Sequence, residues 1–336
     1  MTDKPKVAFY WCASCGGCEE AVVDLAEKLL DVVEAIDIVF WPVALDTKRA
    51  DVEAMEDGSI LATFVNGAVR TTEQEEMVHM LRRKSQLLLA FGACAHLGGI
   101  PGLANQSDRD TIFDVVYRRS PSTVNPDGVV PQTQTTVNGY KLPLPGFYDT
   151  VRTVGQVTDI DYVVPGCPPT PGIIAGAVNT LLGGDLPPRG TVLAPDVALC
   201  DECDRKTTKP ETVSLTEWKR PHLVDVDEEL CLLAQGLVCL GPATRAGCGA
   251  QCVGANMPCT GCFGPTSRVR DGGGKALAAI ASLVGSDEPD EIDHILDGIP
   301  DPVGTFFRYS LPASLLRRAP IGSRNNTPTA TTERSE

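Results

Sequence analysis

The sequence predicts an α/β domain built on a parallel sheet, followed by an irregular, cysteine-rich domain. Three observations support this prediction. Short apolar runs alternate with segments of helical periodicity through roughly the first 190 residues, which is the pattern of successive βαβ units. Eight of the 13 cysteines fall between Cys200 and Cys262. Residues 183–199, rich in Gly and Pro, separate the two parts and are expected to form a linker.

Strands are expected where a compact apolar run is bounded by polar or turn residues. These runs are Lys6–Cys12, Ile36–Phe40, Ile60–Val65, Leu87–Phe91 and Tyr162–Val164. Because they alternate with helical segments, we expect them to pair in parallel and to be covered on both faces.

Helices are expected in three segments between the strands. Apolar positions repeat at helical spacing after the first strand at Val22, Leu25, Ala26 and Leu29. Residues 71–84 carry apolar positions that would face the sheet at Met77, Met80 and Leu81. The segment Pro171–Leu182 begins with proline, which is typical of the first helical turn.

The length of 336 residues suggests more than one domain. We expect residues 1–185 to form the sheet domain and residues 186–310 the cysteine-rich domain. Residues 311–336 are expected to be a flexible tail, because the chain ends in the polar run PIGSRNNTPTATTERSE.

The charge balance argues against nucleic acid as a partner. The chain has 29 Lys plus Arg against 44 Asp plus Glu, a formal charge of −15. Nucleic acids are bound mainly by neutralising their phosphates, which this chain would repel. A protein partner or a small-molecule system is favoured, and the 43% of hydrophobic residues is enough for a packed core.

No segment of the sequence is expected to span a membrane. The most apolar stretch, residues 87–104, contains His96, Pro101 and four glycines, which would leave backbone groups unpaired in lipid. No export signal is visible at the N-terminus. We therefore expect a cytoplasmic location, where the environment is reducing and cysteines more often bind metals than form disulfides.

Four cysteines follow the ends of predicted strands. They are Cys15, Cys18, Cys94 and Cys167, each flanked by glycine. Ligands of open parallel sheets bind at the carboxyl ends of the strands, so these residues can converge there. The alternative is that they are buried thiols acting as small apolar side chains. Four at one edge favour a metal site, with zinc as the main competitor to iron-sulfur.

The other eight cysteines are numerous enough for two sulfur sites. They are Cys200, Cys203, Cys231, Cys239, Cys248, Cys252, Cys259 and Cys262. Two C-x2-C pairs lie at the ends of the set and four cysteines between them, and spacing alone does not choose between zinc and iron-sulfur. The intervening sequence is glycine-rich, as expected where metal sites replace a hydrophobic core.

Five motifs together resemble a known family. They are CGGCEE at 15–20, GAC at 92–94, PGCPP at 165–169, CLGPATRAGC at 239–248 and MPCTGC at 257–262. In this order they resemble the small subunit of NiFe hydrogenases, most closely the cytoplasmic, methyl-viologen-reducing type that associates with heterodisulfide reductase. The first part is also similar to the complex I 20 kDa subunit family, but the C-terminal cysteines argue against that relative.

The resemblance implies a flavodoxin-like first domain and three 4Fe-4S clusters that carry electrons from a nickel-iron centre in a separate large subunit. Cys15, Cys18, Cys94 and Cys167 would hold the proximal cluster. Cys248, Cys252, Cys259 and Cys262 would hold the medial cluster, with Cys252 as the fourth ligand that many relatives lack. Cys200, Cys203, Cys231 and Cys239 would hold the distal cluster, with Cys200 where many hydrogenases have histidine.

Two residues near the first cysteine pair, Glu19 and Cys12, each allow two interpretations. Glu19 resembles a small-subunit acid associated with proton movement near the large subunit, and the alternative is a glutamate stabilised by a helix N-terminus. Cys12 is left over from the three sets of four. It would pack as a small apolar side chain, or exchange with Cys15 as a ligand.

The expected function is electron transfer between a hydrogen-activating large subunit and a flavin or iron-sulfur acceptor subunit, the latter of heterodisulfide-reductase-like type. An alternative is an electron-relay spacer in a non-hydrogenase complex whose large subunit lacks nickel. A zinc-stabilised interaction module is a third hypothesis.

Overall fold

The protein is described by a computed structural model covering residues 4–316. Its strands are β1 (Lys6–Trp11), β2 (Asp37–Phe40), β3 (Ile60–Asn66), β4 (Val69–Thr71), β5 (Ser85–Phe91), β6 (Gln134–Val137), β7 (Tyr140–Pro143), β8 (Phe147–Arg152), β9 (Tyr162–Val164) and β10 (Thr191–Val192). Its α-helices are α1 (Gly17–Val23), α2 (Lys28–Ala35), α3 (Arg49–Glu53), α4 (Thr72–Lys84), α5 (Gly92–Leu97), α6 (Arg109–Asp114), α7 (Pro171–Gly183), α8 (Gln251–Gly254), α9 (Gly272–Ala281), α10 (Pro289–Leu296) and α11 (Pro302–Phe306).

The main sheet has six parallel strands in the order β10-β9-β5-β3-β1-β2. The chain starts at β1, places β2 on one side and then crosses to β3 on the other. The winding therefore reverses between β1 and β3, which is the order of flavodoxin-like sheets. The predicted fold class is confirmed, and the reversal marks the edge where such sheets bind ligands.

Both faces of the sheet are covered, as predicted. On one face, Phe9 stacks on Phe64 at 5.1 Å between ring centres, under α1, α2 and α7. On the other face, α4 buries Met77, Met80 and Leu81 against the strands, which confirms the predicted orientation of that helix. Alternate side chains of each strand thus enter two separate cores.

The helix predicted after β1 is two helices. Ala26 has a φ of 52°, so the chain leaves helical geometry between α1 and α2. The turn keeps Leu25 in the core at 4% exposure, whereas α2 has no buried residue. The helical spacing of apolar residues did not reveal this break, because Leu25 is buried although it lies in the turn between the two helices.

The predicted linker at residues 183–199 contains a strand. β10 (Thr191–Val192) pairs with β9, so the sheet extends past residue 185, where the first domain was expected to end. A separate hairpin of β6 and β7 lies at residues 134–143, with every residue of both strands exposed. It continues into β8, which pairs with β4 in a small second sheet.

The cysteine-rich part is irregular, as predicted. Loops, short 3-10 turns and the short helix α8, which contains Cys252, carry its cysteines, and α9, α10 and α11 pack behind them. Its core includes Leu232, Leu237 and Phe307, all nearly fully buried.

Residues 311–314, close to the end of the described chain, are packed, and Pro312 contacts the first part of the chain at Gly98 and Gln156. Leu311 is 2% exposed and Ser314 is 1% exposed. The expected flexible tail therefore begins with packed residues, and its remainder, residues 317–336, lies outside the described residues. No helix within residues 4–316 is long and apolar enough to cross a membrane.

Candidate functional site

The first group of cysteines lies at the carboxyl edge of the main sheet. Cys15 and Cys18 follow β1, Cys94 lies in the first turn after β5, and Cys167 follows β9. Burial raises the pKa of the Cys18 thiol, and the nearby sulfurs of Cys94, Cys167 and Cys15 raise it further. Burial also raises the pKa of Cys94 to about 12, again with contributions from Cys167 and Cys15. The structure thus brings the four predicted residues together.

Glycines make room around these sulfurs. A Cβ atom added at Gly92 would lie 2.4 Å from the sulfur of Cys18, and one added at Gly99 would lie 2.3 Å from the sulfur of Cys94. Both glycines also have positive φ angles, 85° and 58°. Any other residue would crowd the sulfurs and strain the backbone.

The second group lines one cavity. Cys200, Cys203, Cys231 and Cys239 all contribute to its wall, together with Lys206 and Lys209. Burial raises the pKa of Cys200 to about 11, with Cys239 adding to the shift and Lys209 opposing it. Burial raises the pKa of Cys239, and the backbones of Gly241 and Cys259 oppose the shift.

The third group is held by short turns. Burial raises the pKa of Cys262 to about 12, and its electrostatic neighbours include Cys248 and Cys252. Burial also raises the pKa of Cys259, for which Cys262 is a neighbour. The backbones of Ala250 and Gln251 oppose the raised pKa of Cys248, and the backbone of Gly261 opposes that of Cys259.

The third group is adjacent to the other two. Burial raises the pKa of Cys262, the nearby sulfur of Cys167 raises it further, and the backbone of Cys167 opposes the shift. The backbone N–H of Cys259 donates to the sulfur of Cys239, with a nitrogen–sulfur distance of 3.4 Å. The third group therefore lies between the first and the second.

The donor set fits iron-sulfur clusters. Each group offers four thiols, which is the number that a 4Fe-4S cluster binds. Amide hydrogen bonds to sulfur and close approach of glycine backbone are further features of such sites. Within the described part of the chain, no group of three or more His, Cys, Asp or Glu side chains has the arrangement of a single metal-ion site.

Glu19 is enclosed by residues that the sequence did not single out. It is 6% exposed, and the indole N–H of Trp41 donates to its carboxylate. The amide nitrogen of Asn66, at the end of β3, donates to Oε1 of Glu19 at 2.9 Å and to the carbonyl of Tyr10 at 2.7 Å. Burial raises the pKa of Glu19, and the Trp41 hydrogen bond opposes the shift. The sequence feature that could have identified Asn66 as a site residue is its position: it is a polar residue at the end of an apolar strand, at the carboxyl edge of the sheet.

Cys12 lies apart from the three groups. It is 5% exposed and packs in the core beneath the sheet. Burial alone raises the pKa of its thiol, without a contribution from any other cysteine. This environment matches the expectation of a thiol that packs as a small apolar side chain.

Comparison with known proteins gives two kinds of match. Residues 15–181 match the protein family described as NADH ubiquinone oxidoreductase, 20 Kd subunit. Over nearly its whole length, the chain is 41% identical to the iron-sulfur subunit of the F420-non-reducing hydrogenase of Archaeoglobus profundus, covering 93% of this chain and 98% of the relative. It is 36% identical to the corresponding subunit of the F420-non-reducing hydrogenase of Methanothermobacter thermautotrophicus, covering 94% and 97%.

Solved structures share the fold. The chain superimposes on the recombinant NiFeSe hydrogenase from Desulfovibrio vulgaris Hildenborough with a TM-score of 0.51, covering 79% of this chain and 95% of the solved chain. The two sequences are 19% identical, so this likeness concerns the fold alone.

Proposed function

The chain belongs to the family of F420-non-reducing hydrogenase iron-sulfur subunits, and from this premise we propose that it carries electrons through three 4Fe-4S clusters. As a hydrogenase small subunit it is part of an oxidoreductase that acts on H2, and it works with a large subunit that holds the nickel-iron centre. The chain itself supplies binding and orientation of the clusters, while the bound clusters would supply one-electron chemistry.

The observation that carries the proposal is the grouping of twelve of the 13 cysteines into three sets of four, with the third set adjacent to both others. The first set would hold the proximal cluster, at the sheet edge that faces the large subunit. The third set, which lies between the others, would hold the medial cluster. The set with Cys200, at the far end of the row, would hold the distal cluster.

The protein residues set the conditions at each site. Thiolates would bind iron, and backbone amides such as those of Gly241 and Cys259 would stabilise the negative charge on the sulfurs. Buried surroundings exclude water: Cys94 and Cys259 are 6% and 5% exposed. Glu19, placed by Trp41 and Asn66 next to Cys18, would hold and pass a proton toward the large subunit.

The electron acceptor would dock near the second group. Lys206 and Lys209 border that cavity, on a chain that is otherwise acidic. A flavin or iron-sulfur subunit, of heterodisulfide-reductase-like type, is the acceptor that the family resemblance favours. We also propose a cytoplasmic location, supported by the free thiols of all 13 cysteines, which suit a reducing compartment.

Metal content tests this function. The complex would be purified anaerobically through a tag on this chain, with the bound subunits counted. We expect nickel close to one per complex and at least about twelve iron atoms, from three four-iron clusters. Iron without nickel would support the electron-relay spacer. Zinc without iron would overturn the redox function.

A further inference from the structure

A tyrosine near the end of the described chain touches the ligand loops of two cysteine groups. The backbone carbonyl of Tyr309 accepts a hydrogen bond from the N–H of Gly99 at 2.9 Å. Gly99 is the glycine packed against the sulfur of Cys94. The hydroxyl of Tyr309 lies 3.2 Å from the hydroxyl of Thr260, which sits between Cys259 and Cys262.

The phenol also lies within electrostatic range of two sulfurs from different groups. Burial raises the pKa of Tyr309, and the sulfurs of Cys262 and Cys167 raise it further, with opposing contributions from Thr260 and Arg308. Cys167 is also an electrostatic neighbour of Cys262. Tyr309 therefore stands beside the junction of the first and third groups as a neutral hydroxyl dipole.

The neighbouring residues hold Tyr309 in place. A Cβ atom added at Gly98 or Gly102 would lie 2.2 Å or 2.4 Å from the ring of Pro312, so this proline fills the space above both glycines. The side-chain amide of Gln156 donates to the carbonyl of Pro312 at 2.7 Å. Contacts with both the sheet domain and the cysteine-rich part thus fix the position of the tyrosine.

We propose that Tyr309 is a positioning residue that sets the electrostatic environment of the proximal and medial clusters together. This inference rests on the proposed cluster assignment. A hydroxyl dipole beside the sulfurs changes how well added negative charge is stabilised there, as hydrogen bonds to cluster sulfurs do, and so shifts the reduction potential. One residue would then adjust both ends of the first electron-transfer step.

The test is an anaerobic redox titration of the purified complex, followed by electron paramagnetic resonance. Tyr309→Phe keeps the ring and removes the hydroxyl. We expect unchanged iron content, shifted midpoint potentials for the proximal and medial clusters, and no shift for the distal cluster. The matched control is Tyr140→Phe, a tyrosine 73% exposed in the β6–β7 hairpin, for which no potential should change.

Unchanged potentials in Tyr309→Phe, or an equal shift in all three clusters, would overturn the inference. If Tyr309→Phe loses iron, the same titration of Thr260→Val tests the inference instead. This variant keeps Tyr309 and removes the hydroxyl group that contacts it. A change confined to the same two clusters then supports the role of Tyr309, and unaltered potentials refute it. Failure of the proposed function is separate, because it would appear as fewer than three clusters in the wild-type complex.

Discussion

The backbone N–H of Cys259 donates a hydrogen bond to the sulfur of Cys239, with a nitrogen–sulfur distance of 3.4 Å. Cys259 belongs to the third cysteine group and Cys239 to the second. Because the donor is a main-chain group, this bond ties the two groups together through the backbone. Under the proposed assignment, it would hold the medial and distal clusters at a fixed separation.

Gly92→Ala is expected to abolish iron binding at the first group. The new methyl group would meet the sulfur of Cys18 at 2.4 Å, and the φ of 85° disfavours alanine. Iron content should fall by about four per chain, the content of one 4Fe-4S cluster. Gly172→Ala is the control, because nothing lies within 4 Å of the added methyl group there. Full iron content in Gly92→Ala would contradict the assignment of this site.

Cys252→Ser is expected to convert the medial cluster to a three-iron form. Cys252 is exposed and lies at the edge of the third group, so its loss removes one ligand without disturbing the core. Iron should fall by about one per chain, with a new paramagnetic signal in the oxidised protein. Cys12→Ser, at a buried thiol apart from the groups, should leave the iron content unchanged. A four-iron spectrum in Cys252→Ser would show that another ligand completes the site.

Glu19→Gln is expected to slow H2-dependent exchange without loss of iron. The amide keeps the shape of the side chain but cannot carry a proton between Trp41 and Asn66. A loss of about 100-fold is the size expected for a proton-transfer group. Glu20→Gln is the control, because this neighbouring residue is exposed. Equal rates in Glu19→Gln and wild type would assign Glu19 a structural role.

Arg70→Met is expected to stabilise the chain. The three guanidinium nitrogens of Arg70 have no hydrogen-bond partner among the described residues, although the side chain stacks on Phe147 at 4.3 Å. Burial lowers the pKa of Arg70 to about 10, which reflects the cost of burying its charge. Removing unpaired donors should raise the free energy of unfolding by about 1–2 kcal/mol, net of the lost ring contact.

Urea titration of both variants and of wild type would measure these changes, and the opposite sign is expected for Arg82→Met. Arg82 pairs with Asp161 at 2.6 Å, and the Asp161 side chain is 4% exposed. Arg189 and the backbone N–H of Leu88 also contact the Asp161 carboxylate, so the loss of Arg82 should cost about 1.5–3 kcal/mol. If Arg70→Met and Arg82→Met destabilised the protein to the same extent, Arg70 would have an interaction partner that stabilises the fold as much as Asp161 does for Arg82.

Cluster assembly is expected to improve as the pH rises. Iron binds thiolates, and burial raises the pKa of Cys94 and of Cys262 to about 12. Each sulfur must therefore release a proton on binding iron, so the apparent affinity increases with pH. Anaerobic reconstitution of the chain with iron and sulfide at pH 7, 8 and 9 should show rising iron incorporation. A flat profile would indicate that thiol protonation does not limit assembly.

Local sequence predicted most of the main sheet, because its strands are compact apolar runs. It did not predict the break at Ala26 or the strand at Thr191–Val192, since tertiary packing decides both. The edge position of the first cysteine group followed from topology. The division of the other eight cysteines came from family resemblance, because their spacing alone allows several groupings. No sequence feature indicated a role for Tyr309, because its proposed role depends on a contact with Gly99, far away in the sequence.

The exposed β6–β7 hairpin has a consequence for handling the protein. Its register places Val137 opposite Tyr140 and Thr135 opposite Leu142, so these side chains share one face. Tyr140 is 73% exposed and Leu142 is 46% exposed. A two-stranded ribbon with an uncovered apolar face and free edges is a site for self-association. Preparations of the chain without its complex should therefore lose material to aggregation as the concentration rises.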